Sequence, residues 1–177
     1  MTDIKIDIYN HVLPLPYLEL VKKHGKEPGM IKRMTNLRML WDMPARVAML
    51  DTWPEVQQVL SLSLPSPEML GGPEDSPAFA RVANEAMADI CKQWPHKFPT
   101  FVASLPMNNP EAALAEMDYA IEKLGAKGFD PAVGWLTKFG PGRSDGGDGY
   151  RVLKYNPGCS RPINGCFEYA SAVKPFL

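Results

Sequence analysis

The stretch FPTFVASLPMNNPEAALAEMDYAIEKLGAKGF, residues 98–129, holds one complete strand–helix–strand phrase, and its reading decides the fold. Phe98 to Leu105 is a mostly apolar run, the pattern of a strand covered on both faces. Asn109 followed by Pro110 opens a helix: the Asn side chain caps free N–H groups, and Pro at the first helical position has no donor to lose. Ala113, Leu114, Met117, Ala120, Ile121 and Leu124 then line one helical face up to Gly125, and a further strand begins at Ala126. Strand, helix and strand in this order imply a parallel crossover.

The same alternation extends upstream. From Ser76 to Trp94, Phe79, Val82, Ala83, Ala86, Met87 and Ile90 recur at helical spacing, with Ser76 available as a cap and Pro77 at the first position. Before it, Val56 to Ser63 reads as a strand, and Leu64 to Pro73 reads as a Pro/Gly-rich surface loop. Met43 to Thr52 carries an apolar stripe behind Pro44, and Leu15 to His24 is a short helix stopped by Gly25, the residue usual at that place. Ile4, Ile6 and Ile8 fall on one face at period two, so a first strand is predicted over 4–9. Strands near 4–9, 56–63, 98–104 and from 126, separated by helices, predict an α/β fold with a parallel sheet.

The chain has 177 residues with 45% hydrophobic composition, enough for one domain with a real core. Nineteen basic against twenty acidic residues leave a net charge of −1, which removes the electrostatic drive toward nucleic acid or anionic membrane. No apolar run reaches the roughly 18 residues of a membrane span, and the amino terminus has no signal-peptide core. Cys91, Cys159 and Cys166 have no metal-ligand spacing and read as free thiols, with Cys91 on the apolar side of its helix. The compartment expected is the cytosol.

Chemistry concentrates where the first strand ends, in Asp7-Ile8-Tyr9-Asn10-His11-Val12-Leu13-Pro14, at the sheet edge where parallel α/β folds bind ligands. This run combines with Trp53, with Gln93-Trp94-Pro95-His96-Lys97-Phe98, with Ala103-Ser104-Leu105-Pro106-Met107 and with Glu122-Lys123-Leu124-Gly125-Ala126-Lys127-Gly128-Phe129. Together they resemble the amidohydrolase-related family, in the branch of aminocarboxymuconate-semialdehyde decarboxylase and γ-resorcylate decarboxylase. The resemblance covers 1–129. It implies a metal-dependent TIM (β/α)₈ barrel that decarboxylates a small aromatic or unsaturated carboxylic acid, or hydrolyses one. It also implies a divalent metal, zinc or manganese, held by a His-x-His pair ending the first strand and by a His and an Asp from later strands, with a further catalytic His between those two.

At the matching positions stand Tyr9 and His11, so a phenol that binds metal poorly while protonated replaces the first imidazole, and His11 is a remnant ligand position. No histidine follows His96. The metal is therefore expected in the family and not retained by this chain. A carboxylate-processing enzyme needs a guanidinium for its substrate's acid group, and of Arg33, Arg38 and Arg46 the reading prefers Arg38 as substrate-binding. Asp7 is open between a hydrogen-bonded structural carboxylate and a site residue. His24 reads as a solvated helix-end residue, His96 as structural, and Met30, Met34, Met39 and Met43 as packing.

A full barrel takes about 250 residues, and the resemblance stops as the fourth strand begins. Residues 130–177 hold eight of the fourteen glycines, two of the three cysteines and no methionine, and within them Gly140 to Gly149 has no apolar face of either period. They are expected to be a divergent, poorly structured tail, from a misassigned exon or reading frame or from a real short paralogue. Asp145 and Asp148 in it are too embedded in glycine to be cheap metal ligands. The fold expected is thus an incomplete TIM barrel of four β/α units, a truncated member of the decarboxylases. A hydrolase of the same superfamily and a non-catalytic, partner-binding fragment remain as alternatives, with self-association through open barrel edges.

Overall fold

The computed structural model describes residues 4–130 and the strand backbones of 152–155 and 167–170. The chain divides into two units, Met1–Leu136 and Thr137–Leu177. In the second unit the described residues are two strands, Val152–Tyr155 and Phe167–Ala170, paired antiparallel. The rest of the expectation for 130–177, with Asp145, Asp148, Cys159 and Cys166, lies outside the described residues.

In the first unit the local signals place the helices well. Helix α1 is Leu15–His24, α3 is Met43–Leu50, α5 is Ser76–Gln93 and α6 is Pro110–Glu122. Asn109 caps α6 through its side chain, accepting from Ala112 N, and Gly125 behind it takes the left-handed conformation at φ 79°. The cap of α3 is Asp42, accepting from Ala45 N. The capping position of α5 proves to be Asp75, whose side chain makes no cap hydrogen bond, while the Ser76 hydroxyl reaches across to Asn108.

Two further helices were not expected. Helix α2, Pro28–Asn36, and the short α4, Pro67–Leu70, each start with a proline that also reads as loop punctuation. Helix α2 has no fully buried residue, so it lacks the apolar periodicity that would reveal it. Its end is tied by Thr35, whose hydroxyl donates to the Ile31 carbonyl and whose own carbonyl accepts from Trp41 Nε1. In α4, Leu70 is 4% exposed and belongs to the core, which corrects the surface-loop reading of 64–73.

Gly25 ends α1 as expected. It does not adopt the left-handed conformation; its φ of −65° is ordinary extended backbone. Space requires glycine here: a Cβ would lie 2.5 Å from the Val21 carbonyl oxygen and 2.8 Å from Ile31 Cδ1. Gly25→Ala is expected to destabilise the protein by about 1–3 kcal/mol through overpacking between α1 and α2, measurable as a lower urea midpoint.

The strands are shorter than predicted: β1 is Lys5–Asp7, β2 Val56–Gln58, β3 Val102–Ser104 and β4 Gly128–Asp130. β1 pairs parallel with β2, Asp7 opposite Gln58, and β3 pairs parallel with β4, Ser104 opposite Asp130. Single parallel bridges, Val12 to Leu62 and Leu60 to Phe101, extend the first pair and join it to the second. The four segments therefore lie in chain order, all parallel, with helices between: an α/β architecture. One end of the third segment stays irregular because Pro99 offers no N–H to a ladder.

The first segment carries a bulge. From Asp7 to Val12 is five residues, while from Gln58 to Leu62, their partners, is four. One extra residue interrupts the ladder and its alternation. The interruption coincides with Ile8 to His11.

Two apolar clusters fill the layer between strands and helices. One gathers Val12, Leu60, Phe98 and Phe101 with Met43 and Leu50 of α3 and Met87 of α5; the other gathers Leu13, Tyr17, Val21, Leu70 and Phe79. Cys91 packs against the first, and burial pushes its thiol up to about 12. The isoleucines of β1 are not core. Ile4, Ile6 and Ile8 are 56%, 57% and 76% exposed, because among the described residues β1 pairs only with β2 and is an edge.

Candidate functional site

The edge where the first segment ends is organised around Arg46. This residue follows Met43 by three positions and precedes Leu50 by four, so it lies on the buried stripe of α3, and only 4% of it is exposed. Its guanidinium donates to Gln58 Oε1 at 2.9 Å, to the His11 carbonyl at 2.6 Å and to Asn10 Oδ1 at 2.7 Å. Phe98 lies under it, 5.9 Å from ring centre to guanidinium carbon. Burial lowers the Arg46 pKa from its ordinary value, and the Asp7 charge opposes that.

The bulge is closed by side chains. Asn10 Nδ2 donates to the carbonyls of Asp7 and Val59, at 3.0 and 2.9 Å; the Asp7 carbonyl also accepts from Val59 N, so the amide adds a second donor there and serves the Val59 carbonyl. Asp7 accepts from Tyr9 N through one oxygen and from Gln58 Nε2 through the other, both at 2.9 Å. Asp7 thus serves the local structure, the first of its two readings.

On this frame stand Tyr9 and His11, the positions matching the metal pair. Both are exposed, Tyr9 to 72%, and their rings meet edge to face with centres 5.8 Å apart. His11 Nδ1 lies 2.9 Å from Ser61 Oγ. Among the described residues no group of three His, Cys, Asp or Glu side chains is placed to hold a metal ion. One imidazole beside a neutral phenol does not make the three-ligand set of a catalytic zinc site, so the residues described do not fit the metal.

The structure separates the other candidates. Arg38 sits on a 3-10 turn, Arg38–Leu40, with its side chain 66% exposed, paired to Asp42 at 2.7 Å. The Ala45 amide and this guanidinium hold Asp42 below its ordinary carboxylate pKa. Arg38 is favoured by its place before α3, yet the guanidinium that reaches the motif is Arg46, and its position on the buried stripe is the signal. His24 is not freely solvated: its ring packs 4.9 Å from that of Phe79. His96 is exposed and takes part through its carbonyl, accepting from Gln57. Met43 is core and Met34 meets the Ser63 hydroxyl through sulfur, consistent with packing. Ser61 and Gln58 escape sequence reasoning, since a polar residue inside a strand reads as surface.

A cavity of about 570 Å³ lies elsewhere, between the starts of α1 and α3 and the end of α5, walled by Leu15, Trp41, Ile90 and Trp94. Its two carboxylates, Asp42 and Asp89, are in ion pairs with Arg38 and Lys92.

No family model matches the chain. It is 30% identical over 144 residues to γ-resorcylate decarboxylase of Rhizobium radiobacter, covering 81% of this chain and 41% of that protein. It is 30% identical over 134 residues to a decarboxylase of Aspergillus niger, covering 71% and 33%. The chain spans about two fifths of the length of the first of these relatives. Among solved structures, 2,6-dihydroxybenzoate decarboxylase complexed with 2,6-dihydroxybenzoate superposes with a TM-score of 0.57 at 26% identity, over 72% of this chain and 39% of that one. The dihydroxybenzoic acid decarboxylase of Polaromonas sp. JS666, with bound manganese and 2-nitroresorcinol, superposes at 0.57 with 27% identity, over 72% and 38%. A putative amidohydrolase of Staphylococcus aureus superposes at 0.53 with 28% identity, over 70% and 35%.

In sequence and in fold the matched region fits the amidohydrolase-related family. The curated proteins it matches include decarboxylases, that of γ-resorcylate among them.

Proposed function

We propose that this chain supplies the first four β/α units of a (β/α)₈ carboxy-lyase whose substrate is a small aromatic or unsaturated carboxylic acid. The observation that carries the reading is the joint match, in sequence and in fold, to enzymes acting on dihydroxybenzoates, with Tyr9 and His11 at the carboxyl edge of the first parallel segment. A hydrolase of the same family is the second reading, favoured by the likeness to the staphylococcal amidohydrolase. The cytosol is the compartment that fits free thiols; no helix among the described residues is long and apolar enough to cross a membrane.

Among the described residues, the edge is organised and, on this reading, no reaction centre is completed. Arg46 and Asn10 set the backbone, and His11 offers one imidazole to whatever meets the edge. The described residues do not supply the ligand set that the family's divalent metal needs. On this reading the isolated chain releases no CO₂ from 2,6-dihydroxybenzoate and retains no stoichiometric zinc or manganese. Elemental analysis after dialysis and a CO₂-release assay on the full chain test it; about one tightly held metal per chain would overturn the second half. Tyr9→His is expected to add an imidazole without restoring turnover. The open edge at β1, with Ile4, Ile6 and Ile8 exposed, supports self-association. Light scattering should then show a mass that rises with concentration; a constant monomer mass would count against it.

A further inference from the structure

We propose that Ser61 is a positioning residue for His11: it holds the neutral imidazole with its proton on Nδ1 and leaves the Nε2 lone pair as the electron-pair donor of the edge. Counting protons leads to this assignment. Ser61 Oγ lies 2.5 Å from the Asn10 carbonyl oxygen and 2.9 Å from His11 Nδ1. A carbonyl oxygen has no hydrogen, so the contact with Asn10 requires the single hydroxyl hydrogen of Ser61. What Ser61 then offers the imidazole is a lone pair. A hydrogen bond to Nδ1 forms only if Nδ1 carries hydrogen, and a neutral imidazole carries one N–H in total. Nε2 is left bare.

The surroundings keep this arrangement in place. Ser61 is 6% exposed, and its own carbonyl accepts from Val12 N at 2.8 Å between the bridging residues Leu60 and Leu62. The backbone that carries the hydroxyl is thereby fixed in the joint between the first two segments, and the Asn10 carbonyl holds the hydroxyl itself. Arg46 fixes the other end of the histidine by donating to its carbonyl, and the Tyr9 ring flanks the imidazole. A hydrogen bond at one ring nitrogen sets what the other can do, and a bare Nε2 on an exposed ring accepts a hydrogen bond from an acidic hydroxyl or a comparable donor. The tautomer stands on geometry alone. Only the nature of the donor, the acidic hydroxyl of a phenolic acid, rests on the decarboxylase reading.

The test is long-range proton–nitrogen correlation NMR on the ¹⁵N-labelled full chain, at a pH well above the ordinary histidine range of about 6.5. Nε2 couples to both ring protons and Nδ1 mainly to one, so the two nitrogens are told apart within each ring. His11→Gln assigns the spectrum by loss of one pattern; His24 and His96 remain as internal references. In the unmodified protein the His11 nitrogen far downfield, the one without hydrogen, is expected to be Nε2. Ser61→Ala should move that ring toward the usual Nε2–H form, and Ser61→Thr should restore the original pattern. A downfield Nδ1 in the unmodified chain overturns the proposal, as does a Ser61→Ala protein that keeps Nε2 downfield. Should Ser61→Ala fail to fold, the unmodified spectrum still decides. Turnover is not read in this experiment, so its failure and that of the decarboxylase reading are separable.

Discussion

Arg46→Met is expected to destabilise the first unit by about 3–5 kcal/mol, the largest loss for any single surface-distant change in it. Methionine keeps most of the volume, so the loss is one of donors. Asn10 Oδ1, Gln58 Oε1 and the His11 carbonyl all lose the guanidinium that serves them. With Asn10 no longer held from that side, the bulge carbonyls of Asp7 and Val59 also lose a fixed donor. Arg46→Lys should recover part of the loss at most, because an ammonium has no planar fork to reach three acceptors. Urea denaturation followed by circular dichroism measures this. Arg38→Met serves as the control and should shift the midpoint far less, its ion pair being at the surface. Equal effects from the two would show that Arg46 is not the hub.

Asn84→Ala should cost about 3 kcal/mol by the same logic of orphaned buried groups. Asn84 is fully buried, and its amide acts as a neighbouring backbone would. Its Oδ1 accepts from Ser104 N at 2.8 Å, and its Nδ2 donates to the Ser104 carbonyl at 2.9 Å and to Glu116 Oε1 at 2.8 Å. Glu116, 3% exposed, gives its second oxygen to Arg81 Nε, whose guanidinium stacks 3.6 Å from the Tyr119 ring centre. One amide thus ties α5 to the end of β3 and to α6. Asn84→Asp tests the pairing: it keeps the acceptor for Ser104 N but turns the donor into a carboxylate facing Glu116. It should be at least as damaging as alanine, and a milder effect would mean that the amide donor contributes little. Hydrogen exchange at Ser104 N offers a second readout, with protection lost in the alanine variant.

Helices were legible because their signals are local. Asn109-Pro110 with Gly125 bounds α6 closely, and the spacing of Phe79, Ala83, Met87 and Ile90 marks the inner face of α5. Burial of polar residues was not fully legible: Asn84 on that face and Glu116 on α6 are buried because each finds partners on another element. Among arginines the distinction was available but slight, since Arg46 falls in step with Met43 and Leu50 whereas Arg38 does not. Helix α2 was illegible because Pro28-Gly29 reads as a turn and no buried stripe contradicts it.

The amino-acid sequence by itself determined the order of the four strands and the longer helices and the parallel α/β class, through short-range periodicity and caps, and phrases that stand together along the chain carried the family resemblance. Tertiary structure alone decided where the strands stop and which of their faces is covered. Period two put Ile4, Ile6 and Ile8 on one face but could not reveal that β1 is an edge, which depends on the strand beside it. Nor could it reveal the extra residue between Asp7 and Val12, which exists only relative to the four-residue step across the ladder. That bulge, closed by Asn10, Arg46 and Ser61 from three separate segments, sets the surroundings of His11. A hydrogen-bond network among residues 36 and 51 positions apart is made by chain crossing, and pattern along a single segment carries no record of it.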